Sequence, residues 1–328
     1  MKPKIFVTRG IPGRAIDKLK RRFDVDVRGE ESVIEKEELL RRVKGKDGLL
    51  CILTDPVDGE VMDAAGKQLK IISNYGAGYD KIDVPAATQR GILVTNTPGA
   101  LTETTADLTV GLLIAAARRI VEGDKYMRQC QYEGWGPSFF LGQEVSGTTL
   151  GIIGMGRIGR AVSRRMNKGF GMRIIYNDKT GASAEADEEF GAKHVPLDEL
   201  LKESDFISIH TPLNSETSRM IGDREFALMK PAAVLVNTSR GNVIDQGALA
   251  KALKQKRIWA AALDVYEDEP RCPVELIPVQ NVIIIPHIGS ASEETRARMS
   301  QMAVDALADF FDGKAPKNSV NGEVLGRK

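Results

Sequence analysis

The sequence predicts an α/β protein of two doubly wound parallel-sheet domains, on three observations. Its 328 residues amount to roughly two domains at about 150 residues each. Short β-rich apolar runs alternate with amphipathic stretches of helical period along most of the chain, the pattern of parallel strands joined by covering helices. Glycine, at 32 residues against 14 prolines, is the one enriched type, which suits a fold with many tight strand-to-helix turns.

Residues 4–8 read as the first strand. Residues 12–23 follow as a helix, with Ile16, Leu19 and Phe23 on one face and Lys18, Lys20, Arg21 and Arg22 largely on the other. That basic cluster reads as a solvated face. Residues 23–27, 49–53, 69–73 and 92–95 are further short strands, separated by helix-like or glycine-containing stretches. Residues 102–119 form a long helix, because Thr102 and Glu103 open it, the apolar body LTVGLLIAAA fills it and Arg118 and Arg119 stand near its end. Residues 122–144, around Trp135, Gly136, Pro137, Phe139 and Phe140, show no clean period and read as an irregular arm. Strands then resume at 149–153, 173–176, 206–210, 233–237, 259–263 and 282–285, making a second doubly wound domain. The last helix, 292–311, places Met299, Met302, Ala303, Ala306, Leu307 and Phe310 at core spacing and is expected to return to the first domain.

Lys plus Arg number 46 and Asp plus Glu 45, a formal net charge of +1, so no field of one sign covers the molecule and nucleic acid is not expected as a partner. Hydrophobic residues at 42% with charged residues at 28% exclude a disordered or collagen-like chain. The start, MKPKIFVTRG, does not read as a secretory signal, and the longest nearly uncharged apolar segment, 108–117, falls short of the ~20 residues that cross a bilayer. A soluble protein without a membrane partner is expected. Cys51, Cys130 and Cys272 form no C-x-x-C pattern, which supports neither a disulfide framework nor a zinc site and fits the cytoplasm. With only His194, His210 and His287 in the chain, no metal centre is expected.

The sharpest motif is LGIIGMGRIGR, where Gly154, Gly156 and Gly159 form G-x-G-x-x-G between a strand and a helix. The first glycine permits the tight turn, the second lets a pyrophosphate approach the backbone, and the third lets helix and strand pack closely. The helix N-terminus then offers unpaired N–H groups to phosphates. Asp178 ends the next strand, 22 residues beyond Gly156, close to the ~20 at which an acid meets the adenosine ribose hydroxyls. It would repel a 2′-phosphate, which favours NAD over NADP; Lys179 beside it keeps NADP possible. Three other strand ends carry polar clusters: Thr238-Ser239-Arg240-Gly241, Tyr266-Glu267-Asp268-Glu269-Pro270 and His287-Ile288-Gly289-Ser290. Singly, each has an ordinary reading as a salt bridge or a solvated turn. Together, an arginine to grip a carboxylate or keto oxygen, an acid and a histidine to pass a proton suggest hydride transfer to a carbonyl.

GMGRIG with Asp178, LVNTSRG, LDVYEDEP and PHIGSAS, in that order and spacing, resemble the D-isomer-specific 2-hydroxyacid dehydrogenase family, and NYGAGYDKID and TPGALTETTAD extend the match over nearly the whole chain. Within the family the likeness is greatest to glyoxylate/hydroxypyruvate reductases. The resemblance implies two Rossmann-like domains with an active-site cleft between them, a flavodoxin-like catalytic domain of residues 1–99 plus 288–328 and an NAD(P)-binding domain of 100–287, with cleft closure excluding water. It implies that Arg240 binds the substrate carboxylate and carbonyl, His287 is the general acid and Glu269 holds its imidazole, leaving Glu267 and Asp268 as turn residues. A carboxylate beside a histidine favours the protonated imidazole, so reduction should weaken at alkaline pH. It further implies that backbone N–H groups of Ala77 and Gly78 cradle the carboxylate and that Asp264 contacts the nicotinamide amide. Thr105, Arg157, Ile158, Thr211, Pro212, Thr238 and Gly289 would border the cofactor. His210 would lie near the adenosine, and His194 would be structural. A homodimer is implied, with Phe139 of the arm able to reach the partner's site. The implied activity is NAD(P)H-dependent reduction of glyoxylate and hydroxypyruvate to glycolate and D-glycerate. The alternatives are 2-ketogluconate reduction, another D-2-hydroxyacid dehydrogenase activity, or an NAD-sensing, corepressor-like binding protein.

Overall fold

The computed structural model describes residues 1–181 and 183–326. The chain divides into two units, Met1–Leu101 together with the chain from Ser290 onward, and Thr102–Gly289.

In the first unit, β1 (Lys4–Val7), α1 (Ala15–Arg22), β2 (Asp24–Val27), α2 (Lys36–Arg42), β3 (Gly48–Ile52), α3 (Gly59–Ala65), β4 (Ile71–Tyr75), α4 (Val84–Gln89) and β5 (Leu93–Thr95) alternate. The strands pair in parallel in the order β2-β1-β3-β4-β5, one of the two common doubly wound orders. Successive strand residues point to opposite faces, and helices cover both, so the strands read as continuous apolar runs. Phe6, Leu49, Ile72 and Val94 line one core, and Ile5, Leu50 and Ile71 the other.

Two elements of this unit differ from the sequence reading by two residues or more. Helix α1 begins at Ala15 rather than at residue 12, because Gly13 takes φ +80°, outside helical space. Strand β4 begins at Ile71 rather than at 69, because Leu69 closes a turn by donating to the Gly66 carbonyl, 3.1 Å.

The second unit opens with α5 (Thr102–Ala117) and α6 (Ile120–Arg128). There follow β6 (Thr149–Ile153), α7 (Arg157–Phe170), β7 (Arg173–Asn177), α8 (Ala184–Phe190), β8 (Lys193–His194), α9 (Leu197–Glu203) and β9 (Phe206–Ile209). Then come α10 (Asp223–Leu228), β10 (Val234–Asn237), α11 (Gln246–Lys254), β11 (Ala260–Leu263) and β12 (Val282–Ile284). Its parallel sheet runs β12-β11-β10-β9-β6-β7-β8. The winding reverses between β6 and β9, the switch point outside whose carboxyl ends ligands bind in such sheets. The last helix, α12 (Glu293–Phe311), packs on the first sheet: the Ser73 hydroxyl donates to the Ala303 carbonyl, 2.9 Å, and Leu307 lies over Gly48, where a Cβ would stand 3.3 Å from it.

Helix α5 stops at Ala117, whose carbonyl is taken by the Gln143 N–H at 2.9 Å, and Arg119 turns left-handed at φ 56°. The expected irregular arm is therefore helical at its start, through α6. The rest is irregular and gathers Phe139 and Phe140 around Tyr126, with ring centroids 5.6 and 5.2 Å away. The two-residue strand β8 was not expected; it is a short edge pairing of Ile175 and Tyr176 with Lys193 and His194. Among the described residues, no helix is long and apolar enough to cross a membrane.

Candidate active site

Three glycines shape the turn from β6 into α7, each for a different physical reason. Gly154 takes φ +96°, and a Cβ there would stand 2.9 Å from the His210 carbonyl carbon and oxygen. Gly159 lies so close to the turn that a Cβ would stand 2.2 Å from the Gly154 oxygen. Gly156, the N-cap of α7, is exposed and has no heavy atom within 4 Å of a Cβ position. Backbone and helix packing thus demand the first and third glycines, while the second leaves clear approach to a helix N-terminus of positive potential. These residues fit the diphosphate of a dinucleotide.

At the end of β7, Asp178 Oδ2 accepts from the Met155 N–H in the glycine turn, 2.8 Å. Its Oδ1 accepts from the Thr180 N–H and hydroxyl, 2.8 and 2.7 Å. Burial pushes this carboxyl up, but the hydrogen bonds from Thr180 and Met155 outweigh it and hold the group below its ordinary value. Asp178 is thus an ionised acceptor tied to the turn. His194 packs edge-on against Tyr176, centroids 5.3 Å apart, and its Nε2 lies 3.3 Å from the Asp178 carbonyl. His210 follows β9, with Nε2 2.8 Å from the Ser208 hydroxyl; burial pushes its pKa down to about 3 and keeps it neutral. Thr211 and Pro212 continue the loop after β9, Arg157 and Ile158 open α7, and Arg157 faces solvent.

The carboxyl ends of β10, β11 and β12 carry Arg240, Glu269 and His287. His287 Nδ1 donates to Glu269 Oε2 at 2.6 Å, while Glu269 Oε1 accepts from the Tyr266 N–H at 2.9 Å. The Tyr266 hydroxyl donates to the Ile285 carbonyl, 2.7 Å, and so links the loop of Glu269 to the approach to His287. The Arg240 loop is folded by Asn237, whose Nδ2 donates to the Arg240 carbonyl at 2.8 Å. Its Oδ1 accepts from the Ser239 N–H and hydroxyl at 3.0 and 2.8 Å. Gly241 lies directly against Tyr266; a Cβ would fall 1.9 Å from the Tyr266 carbonyl carbon. That clearance brings the Arg240 turn against the turn that carries Glu269. Arg240 Nη1 donates to the Ser239 carbonyl, 2.7 Å.

His287 itself has φ +49°, a left-handed conformation that costs a non-glycine residue about 1–3 kcal/mol unless its surroundings hold it. Asp264 does the holding. Its carboxylate, almost fully buried, accepts from the Ile288 N–H at 2.6 Å and the Gly289 N–H at 2.7 Å. Burial raises its pKa, opposed by those N–H groups and by His287. Gly289 in turn accepts from the Thr105 hydroxyl at 3.1 Å. The Thr109 hydroxyl bridges from the Thr105 carbonyl, 2.7 Å, to Thr238 Oγ1, 2.9 Å. Thr105, Thr238, Asp264 and Gly289 are thus joined in one buried network under the His287 loop. Sequence reasoning missed this support and the folding role of Asn237; a carboxylate three residues before Glu267 carried no local signal for it. Glu267 does lie in its turn, but it also accepts from the Gln246 N–H and pairs with Arg219, both at 3.3 Å.

In the first unit, the loop after β4 holds Ala77 and Gly78. The Gly76 carbonyl accepts from the Thr97 N–H at 2.9 Å and Asn74 Nδ2 at 3.2 Å. The Ala77 carbonyl accepts from Asn96 Nδ2 at 2.6 Å. In a trans peptide the N–H points opposite to the carbonyl, so these bonds fix the directions of the Ala77 and Gly78 N–H groups. In the arm, Phe139 packs on Phe140, centroids 4.8 Å apart, and remains 39% exposed.

Comparison with known proteins finds the family described as "D-isomer specific 2-hydroxyacid dehydrogenase, NAD binding domain" matching residues 110–289. A glyoxylate reductase of Korarchaeum cryptofilum is 52% identical over 99% of this chain and 98% of its own length. Among solved structures, a glyoxylate reductase from Paecilomyes thermophila superposes with TM-score 0.88 at 32% identity, covering 98% of this chain and 99% of that one. An NADPH-dependent glyoxylate/hydroxypyruvate reductase from Sinorhizobium meliloti, in complex with NADP and malonate, gives TM-score 0.86 at 32% identity, covering 98% of both chains.

Proposed function

This chain belongs to the D-isomer-specific 2-hydroxyacid dehydrogenase family, and on that premise we propose that it reduces glyoxylate, and hydroxypyruvate beside it, with a nicotinamide cofactor. The observation that carries the proposal is the 2.6 Å pair of His287 Nδ1 and Glu269, set at strand ends of the sheet that carries the dinucleotide turn. When bound, the nicotinamide supplies a hydride to C2 of the oxo acid. Arg240 pairs with the substrate carboxylate and orients its carbonyl. Protonated His287, its Nδ1–H held by Glu269, releases the proton from Nε2 to the substrate oxygen, so that hydride and proton together give the hydroxy acid. Glu269 keeps the imidazole in that orientation and stabilises its charge. The Ala77 and Gly78 N–H groups donate to the carboxylate in this reading, and Asp264 supports the loop of the proton donor. Thr105, Arg157, Ile158, Thr211, Pro212, Thr238 and Gly289 border the cofactor.

The same reading makes the protein a cytoplasmic homodimer. Support comes from unpaired Cys51, Cys130 and Cys272 and from the exposed arm, where Trp135 is 81% accessible. Steady-state oxidation of NADH and NADPH with glyoxylate, hydroxypyruvate, pyruvate and 2-ketogluconate tests the activity. Glyoxylate or hydroxypyruvate should show the highest kcat/KM, with NADH preferred. A higher value for 2-ketogluconate would overturn the substrate assignment, and cofactor binding without turnover of any oxo acid would overturn the reductase.

A further inference from the structure

Asp178 is a poor single discriminator of the adenosine ribose, because its carboxylate is already committed to the Met155 N–H and to Thr180. Lys179, the next residue, would offset its repulsion of a 2′-phosphate if the ammonium were available. Instead Lys179 Nζ stands 2.6 Å from Glu216 Oε2, on side chains 77% and 61% exposed. Glu216 reaches that position from the loop after β9, on the opposite side of β6 in the sheet from β8. Its backbone is organised locally: Asn214 Oδ1 accepts from the Glu216 and Thr217 N–H groups, 2.9 and 3.0 Å. The Thr217 hydroxyl donates to the Pro212 carbonyl, 2.6 Å. The turn thus presents an acid to the end of β7 without help from the ion pair.

We propose that Glu216 is a specificity-determining residue that acts against a 2′-phosphate on the adenosine: it engages Lys179 and so withholds that ammonium from the phosphate. The inference rests on the dinucleotide reading of the glycine turn. Its physical basis is electrostatic. A 2′-phosphate needs a nearby cation to offset its charge, and an ammonium already paired with a carboxylate, with that carboxylate remaining in place, offers little net attraction. Because the pair is exposed, its effect is modest and salt-dependent. Its exposure also makes Glu216 a cleaner probe than Asp178, whose replacement would disturb the glycine turn.

Calorimetric binding of AMP and of adenosine 2′,5′-bisphosphate separates the contributions without any catalytic step. Glu216→Gln should raise the affinity for the bisphosphate relative to AMP about three- to fivefold. The gain should shrink toward ~0.5 M salt and disappear in the double variant Lys179→Met, Glu216→Gln. An unchanged affinity ratio in Glu216→Gln, or a gain that persists without Lys179, would overturn the proposal. Failure of the unaltered chain to bind either AMP or NADH would instead remove the dinucleotide reading, and this inference with it.

Discussion

The glycine turn is assembled from one continuous stretch, β6 through Asp178, whereas the His287 platform draws residues 237–241, 264–269 and 285–289 from three strand ends. In the turn, most of the close contacts are among neighbours: Gly159 meets the oxygen of Gly154 and Asp178 closes on Met155, with the His210 carbonyl against Gly154 as the distant contact. In the platform, each reactive side chain depends on residues far away in sequence. His287 holds a left-handed backbone through Asp264, and the turn after Arg240 packs on the turn that carries Glu269 through the clearance at Gly241. The first region is a motif; the second is a tertiary arrangement whose supports are chemically unremarkable when read one at a time.

Four substitutions sharpen that contrast. Arg240→Ala should remove substrate pairing in both ground and transition states and lower kcat/KM about 10³-fold, with NADH affinity retained; steady-state kinetics and NADH fluorescence titration measure the two. Gly241→Ala should strain the whole platform, since its Cβ would fall within the backbone of Tyr266. A loss on the order of 3 kcal/mol, roughly 10 °C in Tm, is expected by calorimetry. Gly156→Ala should do the reverse, because no atom lies near its Cβ: stability changes by only a few tenths of a kcal/mol, while NADH binding weakens about tenfold or more. Equal Tm losses in the two glycine variants would erase the distinction between a glycine kept for packing and one kept for a ligand.

The smallest effect is expected at Asp178. Its folded pKa lies below the ordinary 3.8, so the charged form stabilises the folded state. That contribution is fully present above about pH 4 and is lost as pH falls through the lowered value. Asp178→Asn should cost about 1 kcal/mol at neutral pH, and the Tm difference from the unaltered chain should close on acidification below pH 4. A difference independent of pH would contradict an ionised Asp178 in the turn.

Much of the architecture was readable because both sheets are covered on two faces, which leaves long apolar runs such as those of β3, β6 and β10 separated by glycine turns. Helix α6 was missed because none of its residues is buried, so no apolar stripe marks it. Strand β8 was missed because two edge residues, Lys193 and His194, carry neither alternation nor apolar character. In the site, Arg240 and His287 were legible as polar residues soon after apolar strands, whereas Glu269 was told from Glu267 and Asp268 only by the family resemblance. Asn237, Gly241 and the Asp264 clamp were not, since their roles exist only in contacts between loops that sequence spacing does not join.

The central claim is that His287, oriented by Glu269, is the proton donor. Its most direct test is kcat for glyoxylate reduction by His287→Gln and Glu269→Gln, with NADH affinity measured alongside. The account predicts a fall in kcat of about 10²–10⁴-fold for His287→Gln, a smaller fall for Glu269→Gln, and unchanged NADH binding in both. Turnover within twofold of the unaltered enzyme in His287→Gln would contradict it.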